Sequence, residues 1–170
     1  MQQLHSPSQA AQWLRACVTG TLRSDSRQVL AGDGLLAWPG ARADGRAHVA
    51  RAMAQGARAC IVERAGAEAF AFDGQPWAGQ VACMDALKAQ AGPIADCYFD
   101  APSARLSVLA VTGTNGKTSS VWWLAQALSA LRLATPIACA MVGTLGVGRV
   151  VPAASGSSSE APGNAASGPA

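Results

Sequence analysis

The chain has 170 residues, half of them hydrophobic, and a formal net charge of +3, which is enough apolar mass for one or two small cores. No lysine- or arginine-rich run occurs, so the electrostatic footprint of a nucleic-acid binder is missing. No segment reaches ~18 consecutive apolar residues and no charged leader precedes an apolar core, so neither a membrane span nor a signal peptide is predicted and a cytoplasmic protein is expected.

Taken in chain order, Ser6-Pro7 opens a helix, with serine as cap and proline at the first helical position. It runs to about Ala16, with Trp13 and Leu14 on its apolar side. From Leu22 to Glu63 the pattern reads strand, strand, helix, strand. The helix is the run His48–Ala57 and the last strand is Ala59–Glu63. Before that helix lie Ser24-Asp25-Ser26-Arg27, Gly32-Asp33, Leu35-Leu36-Ala37, Pro39-Gly40 and Asp44-Gly45. Asp33 and Asp44 each stand beside a glycine and read as turn residues. Asp25-Ser26-Arg27 has two readings. One is a turn with local Asx hydrogen bonds. The other is a phosphate contact, in which the Ser26 hydroxyl and a neighbouring N–H donate. Trp38 is expected to pack on the sheet. Val81–Met84 is a further strand, and Asp85 can cap the helix after it. Asp100-Ala101-Pro102-Ser103 punctuates the chain, because proline disfavours helix in the residue before it. The domain boundary is placed there.

Five cysteines (Cys17, Cys60, Cys83, Cys97, Cys139) are scattered singly with no C-x-x-C pair, and read as reduced, mostly buried thiols. His5 and His48 lack a cysteine at ligand spacing, so no zinc site is predicted.

The second region opens with an apolar strand, Leu106–Val111, that runs into Gly113-Thr114-Asn115-Gly116-Lys117-Thr118 and a helix from Ser119 to about Leu131. That order suits a nucleoside triphosphate. Glycines let backbone N–H groups approach phosphate oxygens, and the helix N-terminus adds partial positive charge. Lys117 supplies a full charge, and the Thr118 hydroxyl suits Mg²⁺ between phosphates. The general pattern G-x-x-x-x-G-K-[ST] is broken at its first position, where Val111 stands. In the helix, Val121, Leu124, Ala125, Leu128 and Leu131 recur at helical spacing as a core face, flanked by Trp122 and Trp123. Ile137–Val142 reads as the next strand, ended by Gly143-Thr144-Leu145-Gly146. With the first strand it would make a right-handed β-α-β unit and hence a parallel pair. One such unit cannot cover both sheet faces, so 104–151 is expected to be poorly stable unless docked on the first domain. Pro152–Ala170 is alanine, serine, glycine and proline with one charged residue, and reads as disordered.

The sequence T-G-T-N-G-K-T after an apolar strand resembles the ATP loop of the Mur ligases, the ATP-dependent amide ligases of peptidoglycan assembly. The earlier series D-S-R, G-D, G-x-x-x-D-G and Q-G-A resembles the UDP-binding N-terminal domain of that family. It is most similar to the type that adds the third residue of the stem peptide. The resemblance covers about residues 20–148. It implies an α/β fold: a small UDP-sugar-binding domain over 1–100, the opening β-α-β of a P-loop central domain over 104–151, and a tail over 152–170. It implies ATP and Mg²⁺ as cofactors, and a UDP-N-acetylmuramoyl-dipeptide as substrate of a monomeric enzyme. The D-glutamyl carboxylate is activated as an acyl phosphate and then takes diaminopimelate or lysine.

Residue by residue, the resemblance assigns the nucleotide to Gly113, Thr114, Asn115, Gly116, Lys117, Thr118 and Ser119. Lys117 would act on the transferring phosphoryl group and Thr118 on the metal. Ser24, Ser26 and the loop Ala41-Arg42-Ala43 would contact the uridine nucleotide. The family often carries leucine where Ser24 stands. The family's later substrate loop, metal-binding glutamate, carbamylated lysine and histidine have no matching positions here, and its amino-acid-binding domain has none. The chain alone is therefore expected not to ligate. Two other readings stand beside this one: a UDP-sugar-binding module without catalysis, and another P-loop NTPase. Val111 and the lack of an N-K-x-D motif argue against the last.

Overall fold

A computed structural model describes residues 1–131, 137–144 and 146–150. The segment predicted to be disordered, 152–170, lies outside the described residues. The chain divides into two compact units, Met1–Ser107 and a second that begins at Val108.

The first unit is a five-stranded parallel sheet covered on both faces. Its strands are β1 (Gln2–Leu4), β2 (Leu22–Arg23), β3 (Gly34–Ala37), β4 (Ala59–Glu63) and β5 (Val81–Met84), in the order β1-β5-β4-β3-β2. Its helices are α1 (Pro7–Arg15), α2 (Val49–Ala54) and α3 (Leu87–Tyr98). As predicted, α1 starts at a serine cap, with Ser6 Oγ accepting from the Gln9 N–H at 3.2 Å and Pro7 in the first turn. β1 was not expected. It is three residues long and two of them are glutamines, so it carries no apolar signal.

Strand side chains alternate between two cores. Leu35, Ala37, Cys60, Val62, Val81 and Cys83 join Val49 and Ala52 of α2 on one face. Leu36, Ala59, Ile61, Ala82 and Met84 join Leu14 of α1 and Leu87 and Ile94 of α3 on the other. With both faces covered, each central strand reads as an unbroken apolar run. Trp38 packs half-buried against the second cluster, as expected.

The predicted cap of α3 is corrected. Asp85 does not hold the helix start. Ala86 adopts a left-handed conformation (φ 53°), and Asp85 pairs instead with Arg64 at 2.6 Å. The opening amides of α3 go to Glu63 at the end of β4, which accepts from Ala86 N–H at 3.2 Å and Leu87 N–H at 2.7 Å. A carboxylate from a neighbouring strand thus does the work of a local cap, at the end of the helix where negative charge is favoured.

The second unit contains α4 (Lys117–Ser129) and the strands β6 (Cys139–Gly143) and β7 (Gly146–Val150). Two expectations fail here. Leu106–Val111 is not in a strand, and β6 pairs antiparallel with β7, from Cys139 opposite Val150 to Gly143 opposite Gly146. The parallel strand–helix–strand unit is therefore not formed among the described residues. Gly143 stands opposite Gly146, so the neighbouring segment pairs at far smaller loop cost than a crossover. The apolar stripe of α4 is covered only in part. Ala125 is buried, while Leu124 and Leu131 are exposed.

Candidate nucleotide-binding sites

In a parallel sheet every strand ends on the same edge, and ligands of such folds bind there. β2 and β3 are neighbours. The segment Ser24–Arg27 leaves the end of β2 and the loop 38–45 leaves the end of β3, so the two predicted uridine-contact segments emerge side by side.

Ser26 begins a short 3-10 turn, Ser26–Gln28, and is buried. Asp25 caps that turn. Its carboxylate accepts from the Arg27 N–H at 3.0 Å and from Arg27 Nη2 at 2.7 Å. These hydrogen bonds from Arg27 pull the Asp25 carboxyl down to about 2. The Asx turn is therefore present, with Ser26 as the first residue after its cap. Ser24 is exposed, as are Ala41, Arg42 and Ala43. These three sit at the tip of a loop whose ends are tied by Gly40 N–H to Ala43 C=O at 2.9 Å and by a bridge between Pro39 and Asp44.

Two acidic residues read as turn formers support these segments more deeply than a turn requires. Asp33 is buried and accepts from the Thr21 N–H at 2.8 Å, the Leu30 N–H at 3.1 Å and Arg23 Nε at 3.1 Å. Burial works to raise its pKa, but these donors outweigh it and hold the carboxyl below its ordinary value. Asp44 is forked by Arg46, whose hydrogen bonds lower its pKa against an opposing effect of burial. Arg46 was missed from sequence. Its signal is an arginine directly after the Asp-Gly turn, but its partners Glu63 and Ala65 lie 17 and 19 residues away.

In the second unit, Gly113 (φ 147°) and Gly116 (φ 74°) take backbone conformations that favour glycine. Gly116 is the cap of α4, and Ser120 N–H returns to its carbonyl at 2.8 Å. A Cβ on Gly116 would meet nothing within 4 Å. Residues 113–119 are exposed. Lys117 Nζ folds over the loop toward the Gly113 carbonyl at 2.5 Å and the Thr114 carbonyl at 3.3 Å. Thr118 and Ser119 stand in the first helical turn. A lysine, first-turn hydroxyls and open helical amides at a two-glycine bend are the donor set that a triphosphate with Mg²⁺ requires. The residues present fit that group.

Among the described residues, no helix is long and apolar enough to cross a membrane. The five cysteines are free.

The described residues thus hold a parallel α/β domain with polar loops at its carboxyl edge and, in the second unit, a glycine-lysine-threonine loop at the start of α4. Residues 20–89, all within the first unit, match the family model described as Mur ligase family, catalytic domain. This segment, and the longer stretch shared with the relatives below, resemble the N-terminal part of Mur ligases. It is 54% identical over 143 residues to the UDP-N-acetylmuramoyl-L-alanyl-D-glutamate–2,6-diaminopimelate ligase of Acidovorax sp. (strain JS42), covering 82% of this chain and 28% of that protein. The ligases of the same name from Janthinobacterium sp. (strain Marseille) and Pseudomonas putida are 44% identical over 137 residues and 42% over 127. They cover 80% and 75% of this chain, and 25% and 24% of their own lengths. The chain thus spans about a quarter of the length of the curated relatives it matches.

Proposed function

We propose that this chain supplies the uridine-nucleotide site and the phosphate loop of an ATP-dependent amide ligase. The ligase would extend UDP-N-acetylmuramoyl-L-alanyl-D-glutamate by one amino acid. The observation that carries this reading is the emergence of Ser24–Arg27 and Gly40–Ala43 from adjacent parallel strands at one sheet edge, inside the segment that matches the family. That the relatives are 2,6-diaminopimelate ligases favours diaminopimelate over lysine as the amino acid added.

Ser26 donates its hydroxyl to the diphosphate. Ser24 and the tip Ala41-Arg42-Ala43 contact the rest of the nucleotide, with Arg42 offering positive charge to phosphate. The loop Gly113–Ser119 would hold the triphosphate through its amides, and Lys117, now on the Gly113 and Thr114 carbonyls, would offer its charge to the phosphoryl group. Thr118 would supply the metal-side hydroxyl. ATP, when bound, supplies the phosphoryl group that activates the D-glutamyl carboxylate for attack by the incoming amine.

Calorimetric titration of the chain with UDP-N-acetylmuramoyl-L-alanyl-D-glutamate, with and without Mg-ATP, tests the reading. Saturable binding of the UDP-sugar supports the first site, and a separate Mg-ATP signal that Lys117→Ala removes supports the second. Ser26→Ala should weaken UDP-sugar binding by roughly 1 kcal/mol, the worth of one hydrogen bond. An unchanged affinity there would remove Ser26 from the site. The unpaired run Leu106–Val111 favours a second reading, in which this chain by itself binds the UDP-sugar only. A UDP-sugar signal with no Mg-ATP signal selects it.

A further inference from the structure

We propose that Arg46 is a positioning residue for the uridine-nucleotide site, holding the loop Gly40–Ala43 in its binding shape without touching the ligand. The proposal rests on the reading that this loop contacts a UDP-sugar. Arg46 is a charged side chain buried in the first unit. Its Nε and Nη2 fork onto the Asp44 carboxylate at 3.0 and 2.7 Å. Its Nη1 donates to the Glu63 carbonyl at 3.3 Å and to the Ala65 carbonyl at 2.5 Å. The guanidinium carbon lies 4.9 Å from the centre of the Phe70 ring. One planar group thus joins the loop after β3 to the segment after β4, at the edge where the ligand would sit. A lysine has no comparable fork.

The consequence for the loop is mechanical. Asp44 accepts from the Arg46 N–H at 3.0 Å and bridges to Pro39, while the Gly45 N–H donates to the Trp38 carbonyl at 3.1 Å. A Cβ on Gly45 would stand 3.0 Å from that carbonyl oxygen, so the backbones are in close approach. Both ends of the tip are therefore fixed, and only Gly40–Ala43 remains between them. Ordering such a tip before binding removes an entropy cost that a loose loop would meet on each encounter. A buried ion pair adds little to stability for its desolvation, and fixing one geometry is the best-attested reason to keep it.

The test uses the full chain with UDP as probe. Arg46→Lys keeps the charge and loses the fork, and Asp44→Asn keeps the shape and loses the carboxylate. Val81→Ala, a core change at the amino end of β5 and so at the opposite edge, controls for general destabilisation. The expected result is a Kd for UDP about tenfold weaker in both loop variants, with faster hydrogen exchange at Ala41–Ala43 and an unchanged Kd in Val81→Ala. Wild-type affinity in Arg46→Lys and Asp44→Asn overturns the proposal and leaves the site reading standing. A loss in Val81→Ala equal to theirs also overturns it, because the effect would then follow stability alone. No binding of UDP by the wild-type chain overturns the site reading and the proposal together.

Discussion

Replacing Asp33 by alanine should be among the most damaging single changes in the first unit. The carboxylate is nearly inaccessible, with its side chain 5% exposed, and it satisfies two backbone amides and Arg23. Hydrogen bonds to a charged group contribute about 1.5–3 kcal/mol each, and breaking a buried ion pair costs about 3–5 kcal/mol because the partner is left uncompensated. Arg23 keeps access to water at 32% side-chain exposure, so its pair is screened and adds at most about 1 kcal/mol, and with the two amides at about 1.5 kcal/mol each the total is about 3–4 kcal/mol. That is a large part of the ~5–15 kcal/mol that holds a domain together. Asp33→Asn can still accept one of the amides and should lose about 2 kcal/mol. Urea titration followed by hydrogen exchange at Ile61 and Val62, in the centre of the sheet, isolates this unit from the second. The pH dependence follows with a definite sign. Asp33 has a lowered folded pKa, so its stabilisation is fully present above the unfolded value of about 3.9. It is lost as pH falls through the folded one. Wild-type stability should therefore drop below pH ~4 more steeply than that of Asp33→Asn. A loss below about 1 kcal/mol for Asp33→Ala would refute the claim that this carboxylate organises the β2–β3 connection.

Ala86 holds a left-handed conformation that costs an alanine about 1 kcal/mol, so Ala86→Gly should raise the urea midpoint, and a lowered midpoint would show that its methyl group packs. Glu63→Ala strips the opening amides of α3 of their acceptor and should cost about 1 kcal/mol, in the range of a lost helix cap, with fraying of Leu87–Ala89 seen by hydrogen exchange. Burial pushes the Cys60 thiol up to about 12, so Cys60 should resist iodoacetamide at pH 8 until urea is added. Labelling of Cys60 in the native chain as fast as half-buried Cys139 would contradict its place in the core.

The first unit was legible because its strands are the kind that pattern reading finds best. Leu35-Leu36-Ala37, Ala59–Val62 and Val81–Met84 are apolar on every residue, with Gly34, Arg58, Glu63, Gln80 and Asp85 among the residues that bound them, and are separated by lengths that suit parallel connections. What escaped were contacts that join distant positions. Arg46 reaches Ala65, and Glu63 reaches Leu87. Each is an ordinary polar residue in its local window and takes its role only when neighbouring parallel strands bring their ends together. The same holds for the candidate site. Ser26 and the loop Ala41–Ala43 could be named from their motifs, while Arg46, which fixes that loop, had no motif of its own.

The second unit shows the opposite limit. Leu106–Val111 has the composition of a buried strand, yet Leu106, Val108 and Leu109 are each more than half exposed and no strand forms there. A strand is a property of a pair, because its N–H and C=O groups must be met by a neighbour. Within the described residues the pairing available to β6 is the local one with β7, which sets Gly143 opposite Gly146 and leaves no edge committed to the earlier apolar run. The phosphate loop is consequently shaped by what lies next to it in the chain. Gly113 and Gly116 bend it, α4 begins at Lys117, and the lysine side chain closes back on the Gly113 carbonyl. The bend of the loop and the contacts of its lysine thus lie within residues 113–120, with no strand among the described residues leading into it.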